Sequence, residues 1–272
     1  MSTEHVYVHG TEPDEQARLT RMNRLINEAC LRPLAPRAGE RFVDFGAGLG
    51  QMSRAIARAA GVRVLGIERS AEQIAEAMRQ AREDGEEHLL EMRAGDAQRP
   101  PLRDDEWGTY DAAHARFILE HVPDPLAVVR AMVRAVKPGG RIVLADDDHD
   151  VLHLWPDPPG FSDVWRTYQR TYDRAGADAI VGRRLTSLLH QAGAQPRQAT
   201  MVFFGSCAGA TEFPDYVENV WRILDGARTQ IFSVGEVDEP QLAACLAALR
   251  IWGRRPDAAL WYAMPWAEGV KP

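Results

Sequence analysis

The chain has 272 residues, of which 45% are hydrophobic and 26% charged, a composition typical of a globular protein with a full core. Its net charge of −7 and the lack of a basic stripe argue against nucleic acid as a partner. No apolar run approaches the roughly 20 residues that span a bilayer, so we expect no membrane partner either. The N-terminal stretch is polar and acidic, unlike a signal peptide, and we therefore expect a cytoplasmic protein.

The first predicted element is a helix over residues 12–32, where Leu19, Met22, Leu25 and Ile26 recur at helical spacing. Strands then alternate with helices, which indicates a parallel sheet with helices on its faces. The predicted strands of this part are 41–45, 62–67, 89–94, 110–115 and 141–146, and the helices between them are 51–60, 71–83 and 126–136.

The alternation ends after residue 146. A loop over 146–160 precedes predicted helices at 161–175 and 183–192, a strand at 197–207, helices near 213–225 and 239–250, and a last strand at 258–269. The pattern predicts an α/β protein with a Rossmann-like, doubly wound, seven-stranded and mostly parallel sheet. The additional helices form two insertions, one after the fifth strand and one between the last two, and we expect them to cap the site.

The loop after the first strand carries Gly46, Gly48 and Gly50, and Glu68 closes the second strand. A glycine loop that enters a helix points backbone N–H groups at a ligand, and an acid after the second strand suits a ribose diol. The dinucleotide fingerprint GxGxxG would require glycine at position 51, where the chain has Gln51. The pattern therefore favours a nucleotide other than NAD.

Further motifs follow in order: MRAGDAQ at 92–98, LEHVPDP at 119–125 and VKPGG at 136–140. Together with VDFGAGLG at 43–50, they resemble the class I S-adenosylmethionine-dependent methyltransferases over about residues 40–146. The subfamily is similar to the small-molecule enzymes of the ubiquinone and menaquinone type. The resemblance implies S-adenosylmethionine as the cofactor and a small molecule as the methyl acceptor.

The resemblance also implies roles for individual residues. Gly46 and Gly48 would pack against the methionine part of the cofactor, Glu68 would hold the ribose, and Asp96 would contact the adenine. The full set of implied cofactor-binding residues is Tyr7, Arg18, Gly46, Ala47, Gly48, Glu68, Arg69, Asp96, Ala97 and Arg116. The chain would divide into a helical lid (1–38), a cofactor-binding core (39–150) and a part that completes the sheet and caps the substrate (151–272).

The lid assignment rests on Tyr7, His9 and Arg18, which precede or begin a regular helix. An aromatic ring and an imidazole before a glycine hinge suit a segment that closes over a ligand. An ordinary surface helix accounts for the same residues, and the sequence leaves both interpretations open.

The candidate catalytic residue is His149, within DDDHD at 146–150. It follows the fifth strand, at the sheet edge where such folds bind ligands, and a neighbouring carboxylate would orient its ring and raise its pKa. A solvated acidic loop or a helix cap is the alternative. We predict no metal site, because consecutive residues at one strand end cannot all point at one ion.

Aromatic residues dominate the first insertion. Trp165, Tyr168 and Tyr172 have the i, i+3, i+7 spacing of one helix face. They either pack the cap onto the sheet or line an apolar substrate pocket. The second insertion and its flanking strand could add Phe203, Phe204, Trp221 and Trp252.

Three other functions remain open at this point. An NAD-dependent oxidoreductase is disfavoured by Gln51, and a non-catalytic or regulatory protein that binds S-adenosylmethionine would carry the same pocket motifs. The third is an enzyme that retains the cofactor but carries out another reaction. The sequence identifies neither the acceptor nor the methylated atom, and it leaves a homodimer open.

Overall fold

The computed structural model describes the backbone of residues 13–272 and the side chains of residues 19–272. The predicted lid residues Tyr7 and His9, and the side chain of Arg18, lie outside the described residues. No helix in the described range is long and apolar enough to cross a membrane.

Within residues 13–272 the strands form one eight-stranded sheet in the order β3-β2-β1-β4-β5-β8, with β7 and β6 also paired to β8. The first five strands are parallel, and β8 runs antiparallel to each of its partners. The predicted mostly parallel, doubly wound sheet is confirmed. The strands are β1 Phe42–Phe45, β2 Val64–Glu68, β3 Leu90–Ala94, β4 Tyr110–Arg116, β5 Val136–Ala145, β6 His153–Trp155, β7 Gln195–Cys207 and β8 Ala259–Val270.

Helices cover both faces of the sheet, because neighbouring strand residues such as Phe42 and Val43 are buried on opposite sides. One apolar core contains residues of α1, α2 and the cap helices, and the other contains residues of α4 and α6. The helices are α1 Pro13–Leu34, α2 Gln51–Ala60, α3 Ala71–Glu83, α4 Pro125–Ala135, α5 Phe161–Ala175, α6 Leu185–Gln191, α7 Phe213–Gly226, α8 Arg228–Val234 and α9 Glu239–Trp252.

Two short elements were not predicted. Strand β6 lies inside the predicted 146–160 loop and has three residues, too few to show an alternating pattern. Helix α8 has seven residues, and its N-cap, Ala227, offers no side-chain cap. Both elements are held by tertiary contacts, since β6 pairs with β8 and α8 packs on α5.

The insertions lie together over one end of the sheet. Helix α5 contacts α8 and α9, and α7 contacts α1, α9 and β7. Residues from these helices join those of α1 in one continuous core. The cap is thus packed onto the same face of the sheet as α1.

A buried ion pair joins the ends of several elements. The Arg141 guanidinium on β5 donates to both carboxylate oxygens of Glu40 at 2.8 and 2.7 Å and to Glu268 on β8 at 2.8 Å. It also donates to the Leu34 carbonyl at the end of α1, at 2.9 Å. One side chain therefore connects α1, the entrance to β1, β5 and β8.

We expect Arg141→Met to lower the free energy of unfolding by about 3–5 kcal/mol, because it leaves the buried carboxylate of Glu40 and the partly buried carboxylate of Glu268 without their counter-charge. Urea denaturation of the full chain measures this loss. The matched control is Arg166→Met, whose exposed pair with Asp163 should contribute little. Equal urea midpoints for the two variants would contradict the expectation.

Candidate functional site

A cleft of about 840 Å³ opens at the carboxyl ends of the parallel strands. This is the edge at which open α/β sheets bind ligands. Eight of the ten residues that the resemblance implied for the cofactor line it, namely Gly46, Ala47, Gly48, Glu68, Arg69, Asp96, Ala97 and Arg116. The remaining two, Tyr7 and the Arg18 side chain, lie outside the described residues.

The glycine loop is shaped by close approach to the chain that follows β4. Gly46 has φ of +71°, and a Cβ at this position would lie 2.5 Å from Cδ1 of Ile118. The N–H groups of Gly46 and Ala47 donate to the Ile67 carbonyl at 2.9 and 3.0 Å, which fixes the loop on β2. Glycine at position 46 is therefore required by both the backbone angle and the available space.

Glu68 is fixed at the rim of the cleft by backbone donors. Its carboxylate accepts the N–H of Gly48 at 3.0 Å and those of Arg69 and Ser70 at 2.8 Å each. A carboxylate has about four acceptor positions, so one remains for a ligand hydroxyl. The carboxylate thus has the orientation and the capacity to accept one hydroxyl of a ligand diol.

The next strand end supplies Asp96 and Ala97. The Asp96 side chain is exposed and accepts the Gln98 N–H at 2.9 Å, while Ala97 is buried. Both residues border the cleft beside Arg69. An aromatic base placed here would meet an apolar surface and a carboxylate acceptor.

The sequence analysis missed Asp44 and His114 on the floor of the cleft. They face each other across β1 and β4, with 2.8 Å between Asp44 Oδ1 and His114 Nδ1, and Ser53 donates to the second Asp44 oxygen at 2.5 Å. A buried carboxylate at this position suits a cationic group such as an amine. The sequence did offer one indication of this role, because Asp44 lies just before the glycines of VDFGAGLG.

Arg116 also lines the cleft, and its side chain is only 9% exposed. Its guanidinium donates to Asn23 Oδ1 on α1 at 2.7 Å, and no carboxylate of the described residues forms an ion pair with it. A buried cation without a counter-charge is costly, so an anionic ligand group would be stabilised here. Arg116 and Asp44 together suit a ligand with both a carboxylate and an amine.

A smaller cavity of about 90 Å³, which we call the chamber, adjoins the cleft. Leu19, Met22, Phe117 and His121 line both cavities. The rest of the chamber wall comes from the cap and the sheet, and it consists of Ile26, Glu120, Asp147, His149, Leu152, Trp165, Tyr168, Tyr172, Phe204, Asn219, Val220, Ile223, Leu260 and Tyr262.

The structure places the predicted aromatic face of α5 on the chamber wall. The rings of Trp165, Tyr168 and Tyr172 lie 5.3–5.5 Å from that of His149, and the two tyrosine hydroxyls are 2.8 Å apart. These residues therefore both pack the cap and line a cavity. Of the other predicted aromatic residues, Phe204 lines the chamber, whereas Phe203 is exposed and Trp221 and Trp252 lie outside it.

His149 is 6% exposed and begins the short helical turn His149–Val151. Its Nε2 lies 3.1 Å from Oε2 of Glu120, a residue that the sequence analysis did not single out. Trp165 Nε1 donates to the His149 carbonyl at 2.9 Å, which fixes the backbone beneath the ring. The imidazole is thus held by a carboxylate and enclosed by aromatic rings.

The pKa of His149 departs from expectation. Burial lowers it below its ordinary value, although the negative charges of Asp147 and the neighbouring acids act in the opposite direction. The sequence interpretation that a neighbouring carboxylate raises this pKa is wrong, because loss of hydration is the larger effect.

The acids around His149 point in different directions. Asp146 is fully buried and accepts the N–H groups of Ile118 and Leu119 at 3.0 and 2.8 Å. Asp148 turns outward and binds Arg183 at 2.8 and 2.6 Å. Of residues 146–150, only Asp147 and His149 therefore line the chamber. This agrees with the sequence-based argument that consecutive residues at one strand end cannot all point at one ion.

Asp147 lines the chamber together with His149 and Glu120. One carboxylate or imidazole atom of each of these three residues lies within 4.8 Å of the others, close enough to hold a metal ion. The prediction of no metal site stays a prediction, with Glu120, Asp147 and His149 as the residues that would test it.

Comparison with known proteins identifies the family. The sequence profile of a methyltransferase domain matches residues 14–199. The 27-O-demethylrifamycin SV methyltransferase of Amycolatopsis mediterranei is 29% identical over 250 residues, which cover 92% of this chain and 85% of that protein. The ubiquinone biosynthesis O-methyltransferase of Ralstonia nicotianae is 40% identical over 112 residues, covering 41% of this chain and 45% of its own length.

The coverage of relatives is uneven. The chain spans about half the length of several other curated relatives, 52% in one case and 48% in another. Among solved structures, a geranyl diphosphate methyltransferase in complex with S-adenosylmethionine has a TM-score of 0.57 and 17% identity, covering 95% of this chain and 90% of that chain. This last similarity establishes the fold.

We expect Glu68→Ala to weaken binding of S-adenosylhomocysteine by at least about tenfold, since hydrogen bonds to a charged group contribute about 1.5–3 kcal/mol. Isothermal titration with the full chain measures the change, with NAD as the competing ligand. Glu83→Ala, at the exposed end of α3, is the matched control and should bind as the wild type does. Tighter binding of NAD than of S-adenosylhomocysteine would contradict the assignment of the cleft.

Proposed function

The chain belongs to the S-adenosylmethionine-dependent methyltransferase family, and from this premise we propose that it methylates a small, largely apolar acceptor bound in the chamber. The resemblance recognised from the glycine loop and its companion motifs is confirmed, with S-adenosylmethionine as the cofactor. Neither an NAD-dependent oxidoreductase nor a non-catalytic regulator finds support among the relatives.

The shared wall of the two cavities carries the proposal. Because Leu19, Met22, Phe117 and His121 line both the cleft and the chamber, a ligand in one cavity would border a ligand in the other. Methyl transfer requires this arrangement, with a donor and an acceptor held side by side and away from water.

We assign the cofactor contacts to the residues that line the cleft. Glu68 would bind a ribose hydroxyl with its remaining acceptor position, and Asp96 and Ala97 would border the adenine with Arg69 beside them. Gly46, Ala47 and Gly48 would lie along the methionine part. Asp44 and Arg116 would bind its amine and its carboxylate, respectively.

The protein has a limited chemical task, since the cofactor supplies a methyl group already activated on a sulfonium. The aromatic wall formed by Trp165, Tyr168 and Tyr172 excludes water from the acceptor. The remaining requirement is orientation: the chamber must hold the acceptor at the shared wall, with its reacting atom pointing toward the cofactor.

His149 is the proposed general base. When its Nε2–H donates to Glu120, the other ring nitrogen, Nδ1, carries a lone pair that can take a proton. The hydroxyl proton of the acceptor would pass to Nδ1 as the new oxygen–methyl bond forms and the sulfur–methyl bond breaks. Glu120 would stabilise the imidazolium that results, and S-adenosylhomocysteine would be the second product.

The division of the chain into three parts stays a prediction. We propose a lid in residues 1–38, a cofactor-binding core in 39–150 and the remaining sheet with its substrate cap in 151–272. We retain as predictions a cytoplasmic location and the absence of nucleic-acid and membrane partners. Formation of a homodimer stays open.

Substitution His149→Asn should lower methyl transfer to hydroxyl acceptors by about 10²–10⁴-fold, the usual contribution of a general base, without changing the affinity for S-adenosylhomocysteine. Transfer of a tritiated methyl group to a panel of phenols and alcohols measures the rate. His190→Asn, at an exposed histidine on α6, is the control. Equal rates for the two variants would remove His149 from the mechanism.

The pH dependence follows from the lowered pKa of His149. The base acts in its neutral form, so kcat/KM should fall only as the pH drops through this lowered pKa, below about 6.5. Between that pH and neutrality the profile should be flat, and the fall at acidic pH should be missing in His149→Asn. An acid limb centred above pH 7 would contradict the assignment.

A further inference from the structure

We propose that the chamber recognises a cation: its acceptor is an apolar small molecule that carries a protonated amine, with the Asp147 carboxylate as the counter-charge. This inference rests on the proposed function and specifies the substrate class of the same site. It concerns the group that the chamber recognises, whereas the methylated atom is set by its position at the shared wall.

The carboxylates of the chamber wall are not balanced by lysine or arginine among the described lining residues. These carboxylates belong to Glu120 and Asp147. Burial lowers the pKa of His149 and raises those of Tyr172 and Tyr262, so these groups are neutral near pH 7. His121 also lines the chamber, but its Nε2 lies 3.3 Å from Oε1 of Glu120, so among the described residues Asp147 is the carboxylate left to face a ligand.

Asp147 differs from the acids that surround it. Asp148 and Asp150 both bind Arg183 at 2.6 Å, and Asp178 pairs with Arg184. The partly buried Asp147 instead accepts the Tyr262 hydroxyl at 2.5 Å, and among the described side chains no cation lies within ion-pair distance of it. Its negative charge faces the chamber, where a ligand cation would be stabilised.

The rest of the wall suits an organic cation. Rings of Trp165, Tyr168, Tyr172 and Phe204 surround the cavity, and aromatic faces attract ammonium groups while burying their apolar substituents. An anionic acceptor would have to approach two carboxylates in an environment of low polarity, which is unfavourable. The chamber therefore selects for amines and against carboxylates and phosphates.

The test uses three probes of nearly equal shape, namely 2-phenylethylamine, 2-phenylethanol and 3-phenylpropanoate. Their binding to the full chain saturated with S-adenosylhomocysteine is measured by equilibrium dialysis at pH 7, for the wild type, Asp147→Asn and Asp150→Asn. The Asp150 variant is the control, because this carboxylate is exposed and binds Arg183 outside the chamber. The shorter benzyl homologues of the three probes are run in parallel, because the chamber is small.

We expect the amine to bind the wild type at least tenfold more tightly than the alcohol, and the carboxylate to bind most weakly. Asp147→Asn should remove the preference for the amine while binding S-adenosylhomocysteine normally, and Asp150→Asn should keep it. The proposal is overturned if no amine of either chain length binds better than its alcohol, or if Asp147→Asn retains the preference.

A third result would also overturn it. If Mn²⁺ binds the wild type but not Asp147→Asn, and the amine shows no preference, the carboxylate belongs to a metal site with Glu120 and His149. Failure of the proposed function is distinguished separately, because it would appear as a wild-type protein that does not bind S-adenosylhomocysteine.

Discussion

The buried carboxylate of Asp146 is the contact on which the site depends. From the end of β5 it accepts three successive N–H groups, those of Ile118, Leu119 and Glu120, at 3.0, 2.8 and 3.3 Å. This fixes the turn after β4, so that Ile118 packs over Gly46 while Glu120 meets His149. One residue thereby positions the cofactor loop and the candidate base at the same time, although burial and nearby acids raise its own pKa.

The two cavities divide the chemistry between them. The cleft has a floor with charges of both signs, provided by Asp44 and Arg116, and is much the larger of the two. The chamber is aromatic, and its charged groups are acids. The cofactor and the proposed acceptor would therefore meet environments that differ in polarity, separated by a wall of mostly apolar residues.

Local signals in the sequence predicted the features that depend on neighbouring residues. The glycine loop, Glu68 and the alternation of strands and helices each lie within one strand–turn–helix unit, so spacing alone revealed them. The roles of Glu120 and Asp147 could not be found in this way. Glu120 pairs with His149 and Asp147 pairs with Tyr262, and each pair joins segments that are far apart in the chain. The pKa of His149 was misjudged for the same reason, because its burial comes from α5.

Helix α1 has a kinetic consequence. It contributes Leu19 and Met22 to both cavities and is tied to the cleft by the bond between Asn23 and Arg116. Any displacement of this helix would remove part of the wall of both cavities at the same time. Access to the acceptor site and access to the cofactor site are thereby coupled through a single element, so a substitution on the inner face of α1 would change the exchange rates of both ligands together.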